Sequence, residues 1–145
     1  MMRITFSAAV LALAGALLLA GCGEPDDASR IAQLIETMKA GIEDQRTGPV
    51  LAPLAENFRT DEDLRRREVR GLLFYHFRRY PTISIVTSDR TIRIDGDRAD
   101  VTLNALLLGG KNLLPERGRR YTVSMRWQKS GGDWQLARIK WQQPE

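Results

Sequence analysis

The 145-residue chain holds one cysteine, one histidine and only four lysines, and each scarcity narrows what it can be. A lone thiol, Cys22, excludes a disulfide within the chain, so any fold must be held by its own apolar core. A lone imidazole, His76, cannot build a metal site, and no cluster of His, Cys and carboxylates has ligand spacing. No metal or other cofactor is therefore expected. There is no internal repeat, no low-complexity run and no long flexible stalk. The length suits one domain and is too short for two ordinary ones. Basic residues number 22 and acidic ones 18, a modest excess carried mainly by arginine.

The apolar residues are unevenly spread. Arg3 gives a positive start, residues 6–19 are almost wholly apolar or small, and Ala20-Gly21 precede Cys22. A charged start, an apolar stretch of this length and small residues before a cut site are the marks of a secretory signal peptide. The stretch is short for a membrane span, which needs about 20 apolar residues. Leu19-Ala20-Gly21-Cys22 resembles the bacterial lipobox. That resemblance implies cleavage before Cys22 and acylation of its sulfur and freed amine, which also gives the lone thiol a use. Stable anchoring takes more than one lipid signal, and two or three acyl chains supply it. Residues 1–21 are thus expected to be a lipoprotein signal, 22–28 a lipidated tether and 29–142 a folded domain. Gly23, rather than Asp, after the cysteine implies the outer membrane where lipoproteins are sorted, with the domain facing the periplasm. Loss of Arg3 leaves a net charge of about +3, which suits an anionic membrane surface. No nucleic-acid partner is expected for an exported lipoprotein.

Asp27 or Ser29 is expected to cap a first helix, with Ile31, Leu34, Ile35, Met38 and Ile42 on one face. Gly48-Pro49 breaks it. A short second helix is expected next, with Val50, Leu51, Leu54 and Phe58 inward and Pro53 in its first turn or at a kink. Thr60 and Asp63 make a capping-box-like start for a third helix, whose apolar stripe is Val69, Leu72, Leu73, His76, Phe77 and Tyr80. Pro81 ends it. Beyond Pro81 the period becomes two: Ile83 and Ile85, then Ile92 and Ile94 after a parity shift that implies a bulge near Asp89. Asp95-Gly96 is a hairpin signal. Alternating strands follow through Ala99 to Leu107, Tyr121 to Trp127 and Trp134 to Trp141, with a loop from Gly109 to Gly118. Helices first and hairpin-joined strands afterwards imply an α+β domain with helices on one face of a curved antiparallel sheet.

This order, with the Asp95-Gly96-Asp97-Arg98-Ala99 and Gly131-Gly132-Asp133-Trp134 hairpins, resembles the nuclear transport factor 2-like, or ketosteroid-isomerase-like, cone. The stretch Leu114-Pro115-Glu116-Arg117-Gly118 leading into Tyr121 resembles exported members of that superfamily. The resemblance implies a pocket at the wide end of the cone. Its members include isomerases, dehydratases, binding domains and inert scaffolds, so function must come from the site.

His76 lies on the apolar stripe of the third helix and is a candidate pocket base, with Tyr75, Tyr80 and Tyr121 candidate hydrogen-bond donors. A base needs an orienting acid, and only the remote Glu68 is near in the helix. Tyr80, Leu113, Leu114 and Trp127 are candidate pocket residues beside His76, and the leucines fall in a loop suited to a rim. Trp127, Trp134 and Trp141 also suit a core or cross-strand stack. Arg65, Arg66, Arg67 and Arg70 form a basic cluster suited to phosphate groups, or else a solvated face neutralised by Asp61, Glu62, Asp63 and Glu68. The expected function is a non-catalytic binding or interaction module on the envelope membrane, for a small apolar ligand or an envelope protein. The alternatives are a pocket enzyme of isomerase or dehydratase type and a homodimerising assembly module.

Overall fold

The computed structural model describes residues 26–109 and 118–145. The lipobox, the tether up to Pro25, and Leu113 and Leu114 lie outside the described residues.

Helix α1 spans Asp27–Glu43. Its cap is Asp26, one residue before Asp27 and three before Ser29, the expected caps, and the Asp26 carboxylate accepts from the Ser29 N–H at 2.7 Å. The helix ends before Gly48-Pro49, where Gln45 takes the left-handed conformation (φ 56°). Helix α2, Thr47–Leu51, instead carries Gly48-Pro49 in its first turn, where proline costs no hydrogen bond. Gly41 is buried where the two helices meet. A β-carbon there would lie 3.0 Å from Pro49 Cβ and 3.1 Å from Val50 Cγ2.

The expected second helix is cut short. Leu54–Thr60 is a strand, β1, not a helical continuation. Val50, Leu51, Leu54 and Phe58 are all buried as expected. A spacing of four places Leu54 and Phe58 on one side in either a helix or a strand, so the pattern alone does not separate the two. The Leu136 N–H donating to the Pro53 carbonyl (2.8 Å) brings this segment to the last strand. Thr60 caps no helix. It ends β1, and its hydroxyl accepts from the Leu64 N–H at 3.0 Å. Helix α3 starts later, at Arg66–Arg79, where the Glu68 carboxylate accepts from the Arg65 N–H at 3.0 Å.

Four strands follow: β2 Ile83–Asp95, β3 Arg98–Gly109, β4 Arg119–Ser130 and β5 Asp133–Gln142. The sheet order is β1-β5-β4-β3-β2. β2 to β5 form an antiparallel meander, and β1 adds a fifth strand parallel to β5. The sheet is therefore mixed where four antiparallel strands were expected. The register slips between Ser88 and Thr91, with Asp89 at φ 54°, where the parity shift implied a bulge. A second slip sets Trp127 opposite Leu136 but Arg126 opposite Arg138. Such slips bend strands and curve the sheet.

The inward face carries Ala99, Val101, Leu103 and Ala105 of β3, Val123 and Trp127 of β4, and Trp134 and Leu136 of β5. Ile31 and Ile35 of α1, Leu51 of α2 and Phe58 of β1 complete this core. Polar anchors hold α1 at both ends. Asp27 Oδ1 accepts from Trp134 Nε1 (2.9 Å) and Lys129 Nζ (3.1 Å), and Glu43 Oε1 accepts from the Ile85 N–H (2.8 Å). The last bond satisfies a backbone donor on edge strand β2.

Candidate functional site

Along the inward face of β3, β4 and β5 the last apolar side chains at one end are only partly covered, and on edge strand β2 Ile94 is 40% exposed at the other end. Toward the Gly131-Gly132 turn and the start of α1, Trp127 and Leu136 are fully buried. On β3, Ala105 is 7% exposed but Leu107 is 36% exposed. On β4, Val123 is buried and Tyr121 only half-buried. On β5, Leu136 is buried, Ile139 half-buried and Trp141 38% exposed. The pairings Ala105 with Tyr121 and Val123 with Trp141 put these side chains on one face. Among the described residues the cone thus opens at an apolar mouth.

Helix α3 leaves β1 at that same end and returns to β2, and none of its residues is buried. Val69 and Leu73 pack against the core. His76 and Tyr80, one turn apart on the same side, stack with ring centroids 6.0 Å apart and planes 12° apart. The Tyr80 ring lies beside Gly109, where a β-carbon would stand 3.4 Å away, and the Tyr80 carbonyl accepts from Gln45 Nε2 at 2.6 Å. His76 and Tyr80 are therefore brought to the mouth, and His76 is half-buried rather than enclosed. Among the described residues, no carboxylate pairs with His76. Tyr75 meets His76 edge-on at 5.3 Å but is 59% exposed on the outer side of α3.

Trp127 stands apart from the mouth. It is fully buried, and its Nε1 is the one buried side-chain polar atom among the described residues without a hydrogen-bond partner. An unmet buried donor costs about 1–3 kcal/mol. The sequence pattern gives Leu107 no role beyond the strand alternation and reads Trp141 chiefly as core or cross-strand stack. Both continue the inward alternation of their strands, so only the drop in burial at the strand ends marks them out.

The four-arginine cluster divides. At 100° per residue, Arg67 shares the outer side of α3 with Arg78, Arg70 lies at its edge, Arg66 turns toward the core-facing side and Arg65 precedes the helix. The acids expected to neutralise the cluster are partly engaged elsewhere: Asp61 pairs with Lys140 (3.5 Å) and Asp63 with Arg59 (3.0 Å), leaving Glu68 on Arg67 at 3.6 Å. Among the described residues no three His, Cys, Asp or Glu side chains are grouped as a metal site, and no helix is long and apolar enough to cross a membrane.

No family model matches the sequence, and no curated protein is significantly similar to it. Solved structures are similar in fold. A nuclear transport factor 2-like protein of unknown function from Pseudomonas putida KT2440 aligns at a TM-score of 0.69 and 16% identity, over 83% of this chain and 90% of that one. The hexachlorocyclohexane dehydrochlorinase LinA-type3 from Novosphingobium barchaimii LL02 aligns at 0.68 and 12% identity, over 81% and 86%. Bdellovibrio bacteriovorus Bd1075 aligns at 0.70 and 15% identity over 80% of this chain, which spans only 41% of that protein. At these identities the likeness establishes the fold alone. The chain has the α+β cone of nuclear transport factor 2-like proteins, a fold shared by an enzyme and by proteins of unknown function.

Proposed function

We propose that the protein is an envelope lipoprotein, anchored through acylated Cys22, whose cone binds a small apolar ligand without transforming it. The observation that carries the binding reading is the apolar mouth. Leu107, Tyr121 and Trp141 sit on the inward face, where a sheet of this kind buries its side chains, yet remain accessible to solvent. Exposed apolar surface on a concave face is the usual lining of a ligand site. The polar groups at hand, the Tyr80 and Tyr121 hydroxyls and the His76 ring, suit orientation of a ligand. A proton-transfer reading lacks its second member, because among the described residues no acid orients His76.

The assembly alternative is less well supported. The outer sheet face carries polar pairs, Asn104 Nδ2 donating to Asp89 Oδ2 at 2.9 Å and Arg126 with Asp100 at 3.4 Å, and an apolar patch of exposed Val86 with half-buried Leu106 and Leu108. Three side chains make a small patch beside the roughly 800 Å² per partner of a stable dimer.

The fluorescent apolar probe N-phenyl-1-naphthylamine tests the reading. It should brighten on titration with the purified protein. Leu107→Lys or Trp141→Glu should abolish that response in variants that circular dichroism shows to be folded, at some cost in melting temperature because both side chains are partly buried. A wild-type protein that fails to take up the probe, or variants that take it up unchanged, would remove the mouth as a binding site.

A further inference from the structure

The outer side of α3 has a composition that neither the core nor the mouth explains. Arg67, Gly71, Phe74, Tyr75 and Arg78 share it, flanked by Arg70 and Arg79. Phe74 is 48% exposed and Tyr75 59% exposed, so two aromatic rings stand in solvent on a helix whose opposite side already faces the core. The Arg70 guanidinium lies over the Phe74 ring at 5.9 Å. Phe74, Tyr75, Arg78 and Arg79 border an open groove whose floor is Gly71, and a β-carbon at Gly71 would meet nothing within 4 Å. Glu68, the one acid of the helix, is held by the Arg65 N–H and by Arg67. Among the described residues, Arg70 and Arg78 pair with no carboxylate.

We infer that this side of α3 docks on an anionic phospholipid bilayer, with Phe74 and Tyr75 entering the headgroup layer and Arg67, Arg70, Arg78 and Arg79 meeting lipid phosphates. Charge complementarity selects the occupant. Arginines around exposed aromatics match a surface that is anionic at the phosphates and partly apolar just beneath. Guanidinium groups bind phosphate oxygens through a planar fork, and aromatic side chains settle at the membrane–water interface. Arg67 and Arg78 share the side with the two aromatics, and Arg70 and Arg79 bound it on either edge, so cations surround the exposed rings. The inference takes its setting from the anchored reading but stands on the α3 face alone. It adds to a lipid tether a second contact that would fix how the cone is presented.

The test uses the mature chain, residues 22–145, carrying Cys22→Ser so that no acyl group contributes. Every core residue lies beyond residue 30, so this chain keeps its core entire. Co-sedimentation is measured with vesicles of phosphatidylglycerol and phosphatidylcholine, and with phosphatidylcholine alone. Binding is expected to the anionic vesicles only and to weaken with salt. Arg70→Glu with Arg78→Glu should lower the partition coefficient on the order of tenfold or more. Phe74→Ser with Tyr75→Ser should lower it several-fold with all arginines retained. Circular dichroism melts confirm that these exposed substitutions leave the fold intact. The inference is overturned if the folded chain ignores anionic vesicles, or if the aromatic pair proves irrelevant and binding reflects net charge only. It is equally overturned if ultracentrifugation shows a dimer that the aromatic substitutions dissolve, since the face then serves a second copy. Probe uptake at the mouth is unaffected by these changes, so the two readings fail separately.

Discussion

At the scale of single residues, the two buried tryptophans of the cone show how a polar atom in a core is handled. Trp134 Nε1 donates to Asp27, whereas Trp127 Nε1 has no partner among the described residues. Asp27 is the more informative of the groups involved. The bond from Trp134, and then that from Lys129, hold its carboxyl below the ordinary carboxylate range. A carboxyl whose folded pKa is depressed adds stability above its unfolded pKa, about 4, and loses it as the pH falls through that value toward the folded one. Asp27→Asn should therefore be less stable than wild type at neutral pH. The gap should narrow as the pH drops from about 5 to about 3, because protonation makes the native residue resemble the variant. Thermal melts across that range check this, and a gap independent of pH would show that the two bonds do not depend on charge.

At the scale of elements, two glycines in helices make opposite predictions from the same chemistry. Replacing glycine by alanine within a helix favours the helix by about 1 kcal/mol. At Gly71 of α3 the added methyl meets open space, so Gly71→Ala should stabilise the protein by about that amount. At Gly41 of α1 it would sit 3.0 Å from Pro49 Cβ and 3.2 Å from the Arg46 carbonyl oxygen, neither of which can rotate away. Crowding of that kind costs about 1–3 kcal/mol, so Gly41→Ala should be destabilised despite its better propensity. Urea unfolding of the two variants side by side gives the comparison, and stabilisation of both would show that α2 yields easily. Helix α2 is a single turn laid against α1 before the chain runs out into β1.

At the scale of the whole molecule, a lipid anchor, an apolar mouth and a basic aromatic helix face would make one device held against a membrane. The anchor is separately testable. Cys22→Ser in the full chain should abolish incorporation of labelled fatty acid and cause the unprocessed precursor to accumulate. Wild-type protein recovered from membranes without lipid would remove the anchor, while leaving the cone and its mouth to be judged on probe binding.

Much of this was already legible in the residues. The period of two after Pro81, the Asp95-Gly96 and Gly131-Gly132 turns and the parity shift at Asp89 mark out the four-strand meander and its bulge, because those signals are local. The inward set Ala99, Val101, Leu103 and Ala105 is equally plain, because strand alternation assigns faces without reference to anything distant. What was not legible depends on partners far along the chain. Leu54 and Phe58 satisfy a helix and a strand alike, and only pairing with β5 makes β1 a strand. The arginines of α3 read as one cluster until the start of the helix at Arg66 fixes which of them share a side. Leu107 and Trp141 follow the alternation of buried neighbours, yet they stand partly exposed. Side-chain direction is set by local backbone period, and the sequence carries it. Whether anything covers that side chain is decided only when distant segments meet.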